Sequence, residues 1–259
     1  MALDGKVAFV TGAAGGIGRA ACVIMAKQGA KIIAADMQAK GLEETIGQIK
    51  NAGGEAIAVK CDISSMASVD EAVGEAMKNY GRIDILFNNA GIVGAGGKFL
   101  ECTEAEYDKV MGINTKGPFN VSVAVGKIMK EQGGGRIINT SSVSAKQAEY
   151  GASIYCMSKS GVSMLTQALA IELGEYNISC VAICPGHIKT PMLVEGFRDR
   201  AKAEGKTEDE YYAEHTKQIP LGRFAEPEEI GELVAFLADE KSYYINGCDI
   251  IASGGQITH

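Results

Sequence analysis

The chain has 259 residues, 46% of them hydrophobic and 22% charged, with 33 glycines, five prolines and a formal net charge of −7 at pH 7. That composition excludes disorder and collagen-like repetition, and no apolar run approaches the roughly 18 residues of a membrane span. A net negative charge without a basic block removes nucleic acid as an expected partner.

Cys22, Cys61, Cys102, Cys156, Cys180, Cys184 and Cys248 are an odd number, contain no C-x-x-C pair and have only three histidines beside them. Free buried thiols in a reducing compartment are expected, and no metal site is. The start, MALDGKVAFVTG, meets an acid at Asp4 and lacks a signal peptide's apolar segment, so a cytoplasmic location is expected.

In chain order, VAFVT (7–11) precedes a helical pattern near 17–28, KIIAAD (31–36) one near 39–52, and AIAVKCD (56–62) one near 66–79. DILFNN (84–89) precedes a long pattern over 104–131, and RIINTSS (136–142) one over 153–174. ISCVAIC (178–184), a polar stretch, a helix near 227–238 and a last strand CDIIA (248–252) complete the series. Seven alternations require long crossovers and helices on both faces, which predicts an α/β, Rossmann-like, doubly wound domain over 1–259 with a seven-stranded parallel sheet. Residues 193–218, charged and helix-prone, break the rhythm beyond a strand's carboxyl end. Ligands bind at that edge, so this insertion is placed to cover a small-molecule substrate; a solvated surface helix pair is the alternative.

Directly after the first strand comes TGAAGGIG (11–18). Gly12 permits a tight turn, Gly16 lets backbone approach a pyrophosphate, and Gly18 allows close packing, while the helix N-terminus offers free N–H groups. The spacing is G-x-x-x-G-x-G, and no GK[ST] follows to suggest a P-loop. Asp36 ends the second strand, 24 residues after Gly12, where a carboxylate accepts from adenosine ribose hydroxyls and repels a 2′-phosphate. Met37 follows it, and Gly15 occupies a place where a basic residue would pair that phosphate, so NAD is favoured over NADP. Asp62 and Ile63 end the third strand on the same edge, placed to flank the adenine. In NNAG (88–91), Asn88 is expected to brace strand ends.

YCMSK (155–159) puts Tyr155 and Lys159 on one helix face, a turn apart. A phenol, with a reference pKa near 10, must fall about 3 units to exchange protons near pH 7, roughly 4 kcal/mol, and an ammonium supplies the required field. Ser142 stands at the end of the fifth strand, where its hydroxyl can hold a carbonyl oxygen. Asn114 sits inside the pattern of 104–131 although Asn is a poor helix former, which points to a local hydrogen bond or a water.

Together TGAAGGIG, Asp36, Asp62, NNAG, Asn114, Ser142, YCMSK, PGHIKTPM (185–192) and the ending ING…ASGG resemble the short-chain dehydrogenase/reductase family along nearly the whole chain. The resemblance implies that Tyr155 is the general acid/base, that Lys159 lowers its pKa and binds ribose, and that Ser142 orients the carbonyl. It further implies that Asn114 holds a water linking Lys159 to solvent. Ile188 and Thr190 would bind the nicotinamide carboxamide, and Ile17, Asn89, Ala90, Gly91, Pro185 and Gly186 would complete the dinucleotide site. Ser144, Gln147, Tyr150, His187 and Met192 are the substrate candidates, His187 being expected to pack beside the cofactor.

The PGHIKTPM segment, its charged insertion and IPLGRFAEPEEI look like the family's diol and polyol dehydrogenases. Hydroxysteroid dehydrogenases are the runner-up. Reductases of 3-oxoacyl thioesters come third, disfavoured by Asp36, and a NAD-sensing regulator without turnover is a reading from another class. The family also implies a homotetramer in which helices 104–131 and 153–174 pack against their mates.

Overall fold

The structure is a computed structural model that describes residues 1–258. Seven parallel strands form one sheet: β1 (Val7–Thr11), β2 (Lys31–Asp36), β3 (Ala56–Lys60), β4 (Ile85–Asn88), β5 (Gly135–Thr140), β6 (Ile178–Pro185) and β7 (Asp249–Ala252). Their spatial order is β3-β2-β1-β4-β5-β6-β7, so the order reverses between β1 and β4, where such sheets open a ligand crevice at the strands' carboxyl ends. Strands β1, β4 and β6 are buried along their whole length. This is why they read as continuous apolar runs, without the alternation of a half-exposed strand.

Helices α1 (Gly16–Lys27), α2 (Ala39–Asn51), α3 (Met66–Tyr80), α4 (Glu104–Met111), α5 (Gly117–Gln132), α6 (Ser153–Leu173), α7 (Pro191–Ala203), α8 (Glu208–Thr216) and α9 (Pro227–Ala238) supply the cover. Side chains alternate across β1: Ala8 and Val10 join Cys22, Met25 and Val234 on one face, while Val7 and Phe9 join Val69, Val121 and Met129 on the other. A third cluster of Phe197, Ala201, Tyr211, Ile219 and Phe224 gives α7 and α8 a small apolar centre of their own.

The helix expected over 104–131 is two helices joined by a π turn at Gly112–Lys116. Pro118 has no N–H for the Asn114 carbonyl four residues back, and its ring clashes with that carbonyl, so a continuous α ladder cannot pass this point. The fifth strand ends at Thr140, leaving Ser142 two residues beyond it. Two thiols also depart from expectation, since Cys102 and Cys248 are exposed. Among the described residues no helix is long and apolar enough to cross a membrane.

Candidate active site

The glycine loop is closed at Gly12 and Gly18 by contacts that leave no room for a side chain. At Gly12, with φ +67°, a Cβ would lie 2.8 Å from Asn89 Nδ2 and 2.9 Å from Ala90 Cα; at Gly18 it would lie 2.1 Å from the Gly12 carbonyl oxygen. Helix α1 starts directly after Gly15 with no side-chain cap and no acid in its first turn. Its first N–H groups are thus open to a phosphate, as a dinucleotide requires. Thr190 crosses above, its Cγ2 3.1 Å from where a Gly16 Cβ would stand, so the segment after β6 reaches the loop after β1. Ile188 and Pro185 are buried in that segment, and Gly186 packs on Ser253 and Gln256.

Asp36 spends both carboxylate oxygens locally: Oδ2 accepts from Ala14 N at 3.1 Å and Oδ1 from Gln38 N at 3.0 Å. It holds the glycine loop while leaving lone pairs for a ribose. Met37 beside it is exposed. Arg19 is tied to Glu44 and Thr45 and so is not a free cation at this edge. Asp62 folds back on its own turn, accepting from Ser64 N at 3.0 Å and Ser64 Oγ at 2.7 Å, and the Ile63 side chain packs over Gly117.

At the ends of β1 and β4, Thr11 Oγ1 accepts from Asn89 N and Ala90 N. Asn88 braces the sheet mainly through side chains, donating to Ser122 Oγ at 3.0 Å and Asn139 Oδ1 at 2.9 Å. A Cβ on Gly91 would meet Asn114 Oδ1 at 3.2 Å and Lys159 Nζ at 3.3 Å, so three separate motifs converge at one point. Asn114 is fully buried; Oδ1 accepts from Ile92 N, and Nδ2 donates to Ile92 O and Ser158 Oγ.

Lys159 is buried, donates to Thr140 O at 2.8 Å and lies 5.7 Å from the Tyr155 ring centroid. Desolvation brings its pKa down to about 8. Tyr155 hydrogen-bonds Ser142, which favours the phenolate, yet desolvation dominates and holds the phenol up at about 12. Desolvation thus outweighs the bond to Ser142 in setting the Tyr155 pKa.

On the substrate side, Ser144 is buried and bonded to Ser142, whereas Gln147, Tyr150 and Met192 are exposed. His187 stacks on Phe224 with centroids 5.1 Å apart, meets Phe197 and His215 edge-on, and bonds Gln256 Oε1 at 3.0 Å through Nδ1. Desolvation, then the neighbouring His215, lowers its pKa. It is thus built into the aromatic cluster of α7 and α8. Three contributors escape sequence reasoning. Thr140 acts through its backbone carbonyl, Ser158 bridges Asn114 to the Tyr155 carbonyl, and Glu149 bonds Ser144.

A family model described as enoyl-(acyl carrier protein) reductase matches residues 12–256. Oxidoreductase UcpA of Salmonella typhimurium is 39% identical over 254 residues, covering 98% of this chain and 95% of that one. Among solved structures, a single-residue variant of actinorhodin polyketide ketoreductase with NADPH superposes with a TM-score of 0.95 at 32% identity, covering 98% of each chain. NAD+-bound xylitol dehydrogenase does so with a TM-score of 0.93 at 32% identity, covering 98% of this chain and 99% of that one. With a glycine-rich turn opening α1 after β1, a tyrosine and lysine one turn apart on α6 and this likeness over its length, the chain belongs to the short-chain dehydrogenase/reductase family of oxidoreductases.

Proposed function

We propose that the chain is a NAD(H)-dependent enzyme interconverting a secondary alcohol and a ketone, with Tyr155 as general acid/base. The observation that carries this reading is the convergence of Gly91, Asn114 and Lys159 beneath the Tyr155 ring. NAD supplies and accepts the hydride when bound; the cradle of Gly12, Gly16 and Gly18, with Asn89, Ala90, Ile188 and Thr190 around it, would hold it. Ser142 Oγ receives the substrate oxygen beside Tyr155 Oη, which gives its proton in reduction and takes one in oxidation. Lys159 lowers the cost of the phenolate in that complex, and Asn114 fixes the turn through which protons return from solvent.

Asp36, exposed Met37 and the pairing of Arg19 with Glu44 support NAD over NADP. The polar groups in the cleft, Ser144 and Glu149 above all, support a diol, polyol or sugar alcohol as substrate. A hydroxysteroid is the second reading, favoured by exposed Phe99, Leu100 and Tyr150 on loops joined by the Gly97–Gly151 hydrogen bond. The pair α7–α8 covers the substrate, in a single domain spanning the chain and working in the cytoplasm. A homotetramer is supported by the exposed heptad stripe Met157, Met164 and Ile171 on α6 and by an open surface groove lined by Met111, Thr115, Phe119 and Leu165. Light scattering on the purified protein measures that assembly.

A spectrophotometric screen of NAD reduction at alkaline pH over diols, sugar alcohols, bile acids and 3-hydroxyacyl compounds tests the function. Turnover of diols or sugar alcohols is expected. Turnover of bile acids alone would move the reading to hydroxysteroids, and NADH binding without turnover of anything would overturn the enzyme.

A further inference from the structure

The carboxylate of Glu149 reaches the reacting groups through two hydroxyls. Ser144 Oγ donates to Glu149 Oε1 at 2.5 Å, Ser142 Oγ donates to Ser144 Oγ at 3.1 Å, and Ser144 N donates to Ser142 Oγ at 3.1 Å. Ser142 and Ser144 are buried while Glu149 is at an exposed position, so the chain of bonds runs from solvent into the cleft. At neutral pH a carboxylate only accepts, which fixes the sense of the series: each hydroxyl donates outward. Ser142 then shares its one hydrogen with Ser144, which weakens the donation to the Tyr155 oxygen that would favour the phenolate.

We propose that Glu149 is a positioning residue that orients the Ser142–Ser144 hydroxyls outward and thereby keeps Tyr155 a proton donor to higher pH. The proposal rests on the acid/base reading of Tyr155 given above. Its charge acts in the same sense as its hydrogen bond. Glu149 opposes ionisation of Tyr155, as do Cys156 on α6 and Cys184 on β6, while Lys159 lies beneath the ring. On its other side Glu149 faces His187, on which His215 and Arg200 of the cover also act. Lys146, on the same turn, is paired with Asp249 at 2.6 Å and does not neutralise Glu149. In ketone reduction the O–H bond of Tyr155 breaks as that of the alcohol forms, and a bound dihydronicotinamide would be oxidised in supplying the hydride for the new C–H bond. Tyr155 then regains its proton from solvent.

The test is the pH dependence of kcat/KM from pH 6 to 10.5 in both directions for the wild type, E149Q, E149D and S144A, using whichever alcohol and ketone pair the screen finds active. E149Q is expected to move the rising limb of oxidation and the falling limb of reduction down together by about one unit, costing reduction up to about tenfold against its own plateau in that window. E149D is expected to restore most of the wild-type position. S144A keeps the charge and breaks the relay, so its limbs should move the same way by less. Limbs unmoved in E149Q, with thermal unfolding at the wild-type temperature, would overturn the proposal. Substantial activity in Y155F would instead overturn the reading beneath it.

Discussion

The Lys159 ammonium stands 5.7 Å from the centroid of the Tyr155 ring and donates to the Thr140 carbonyl at 2.8 Å. The lysine is thus held by the end of β5 and does not depend on the tyrosine for its place. Removing the phenolic oxygen should leave the cradle intact and stop the chemistry. Tyr155→Phe is expected to lower kcat by about three orders of magnitude, within the range of general acid/base catalysis. NADH affinity, read by nucleotide fluorescence, should change little. Activity retained within about tenfold would rule Tyr155 out as the proton donor.

Lys159 is held at a cost to the fold. Its pKa is about 8 in the folded chain against an ordinary value of 10.5. Below about pH 8 it is charged in both the folded and the unfolded chain, and the desolvation penalty is fully present; above 10.5 it is neutral in both and the penalty is gone. Stability should therefore rise as pH climbs through that window. Lys159→Met removes the penalty, worth up to on the order of 3 kcal/mol at pH 7, offset by about 1 kcal/mol for the lost bond to Thr140. Urea unfolding should show the variant more stable than wild type at pH 7, by a margin that shrinks at pH 10, with turnover abolished. A variant less stable at pH 7 would show that the lysine is a structural asset.

Much of this was legible in the residues. Strands β1, β4 and β6 write their burial on both faces as unbroken apolar runs, and TGAAGGIG announces a turn that only glycine fits. Tyr155 and Lys159 are legible because helix geometry puts i and i+4 on one face. The break at 112–116 was also visible in Pro118, and the fold of Asp62 onto Ser64 in an acid followed two residues later by serine. Other parts have no signature. The Thr140 carbonyl is backbone, the aromatic surroundings of His187 come from α7, α8 and the segment after them, and Glu149 gains its role only when the turn after β5 curls it back to Ser144. The height of the Tyr155 pKa is a property of enclosure, which spacing along a helix does not encode.

The glycine loop gives a prediction with two separable readouts. A methyl at Gly18 would overlap the Gly12 carbonyl oxygen and approach Asn89 Nδ2 at 2.8 Å, whereas at Gly16 it would meet only the Thr190 side chain, at 3.1–3.3 Å. Gly18→Ala forces α1 away from the loop and should cost about 1–3 kcal/mol, as overpacking does. It should also weaken NADH binding strongly, because the open N–H groups move with the helix. Gly16 carries φ +52°, so Gly16→Ala is strained as well, but its steric neighbour is a side chain that can give. Thermal melts with and without NADH should rank Gly18→Ala well below Gly16→Ala; the reverse order would mean that the close approach of α1 to Gly12 is not what seats the dinucleotide.

The proposed preference for NAD rests on the edge of β2. Asp36 braces Ala14 and Gln38, and its carboxylate would oppose a 2′-phosphate there, while Met37 is open to solvent. Asp36→Ala removes the repulsion but also frees two backbone donors, so the expected result is poorer NAD use with little gain in NADP. Adding Met37→Arg supplies a fork for the phosphate, and the double variant should reverse the preference. The measurement is kcat/KM for each dinucleotide at fixed saturating alcohol. The NAD-to-NADP ratio should fall by at least about a hundredfold, near 3 kcal/mol, from wild type to the double variant. A wild-type enzyme that already uses NADP as well as NAD would show that the Asp36 charge does not reach the ribose, whatever its place on the strand.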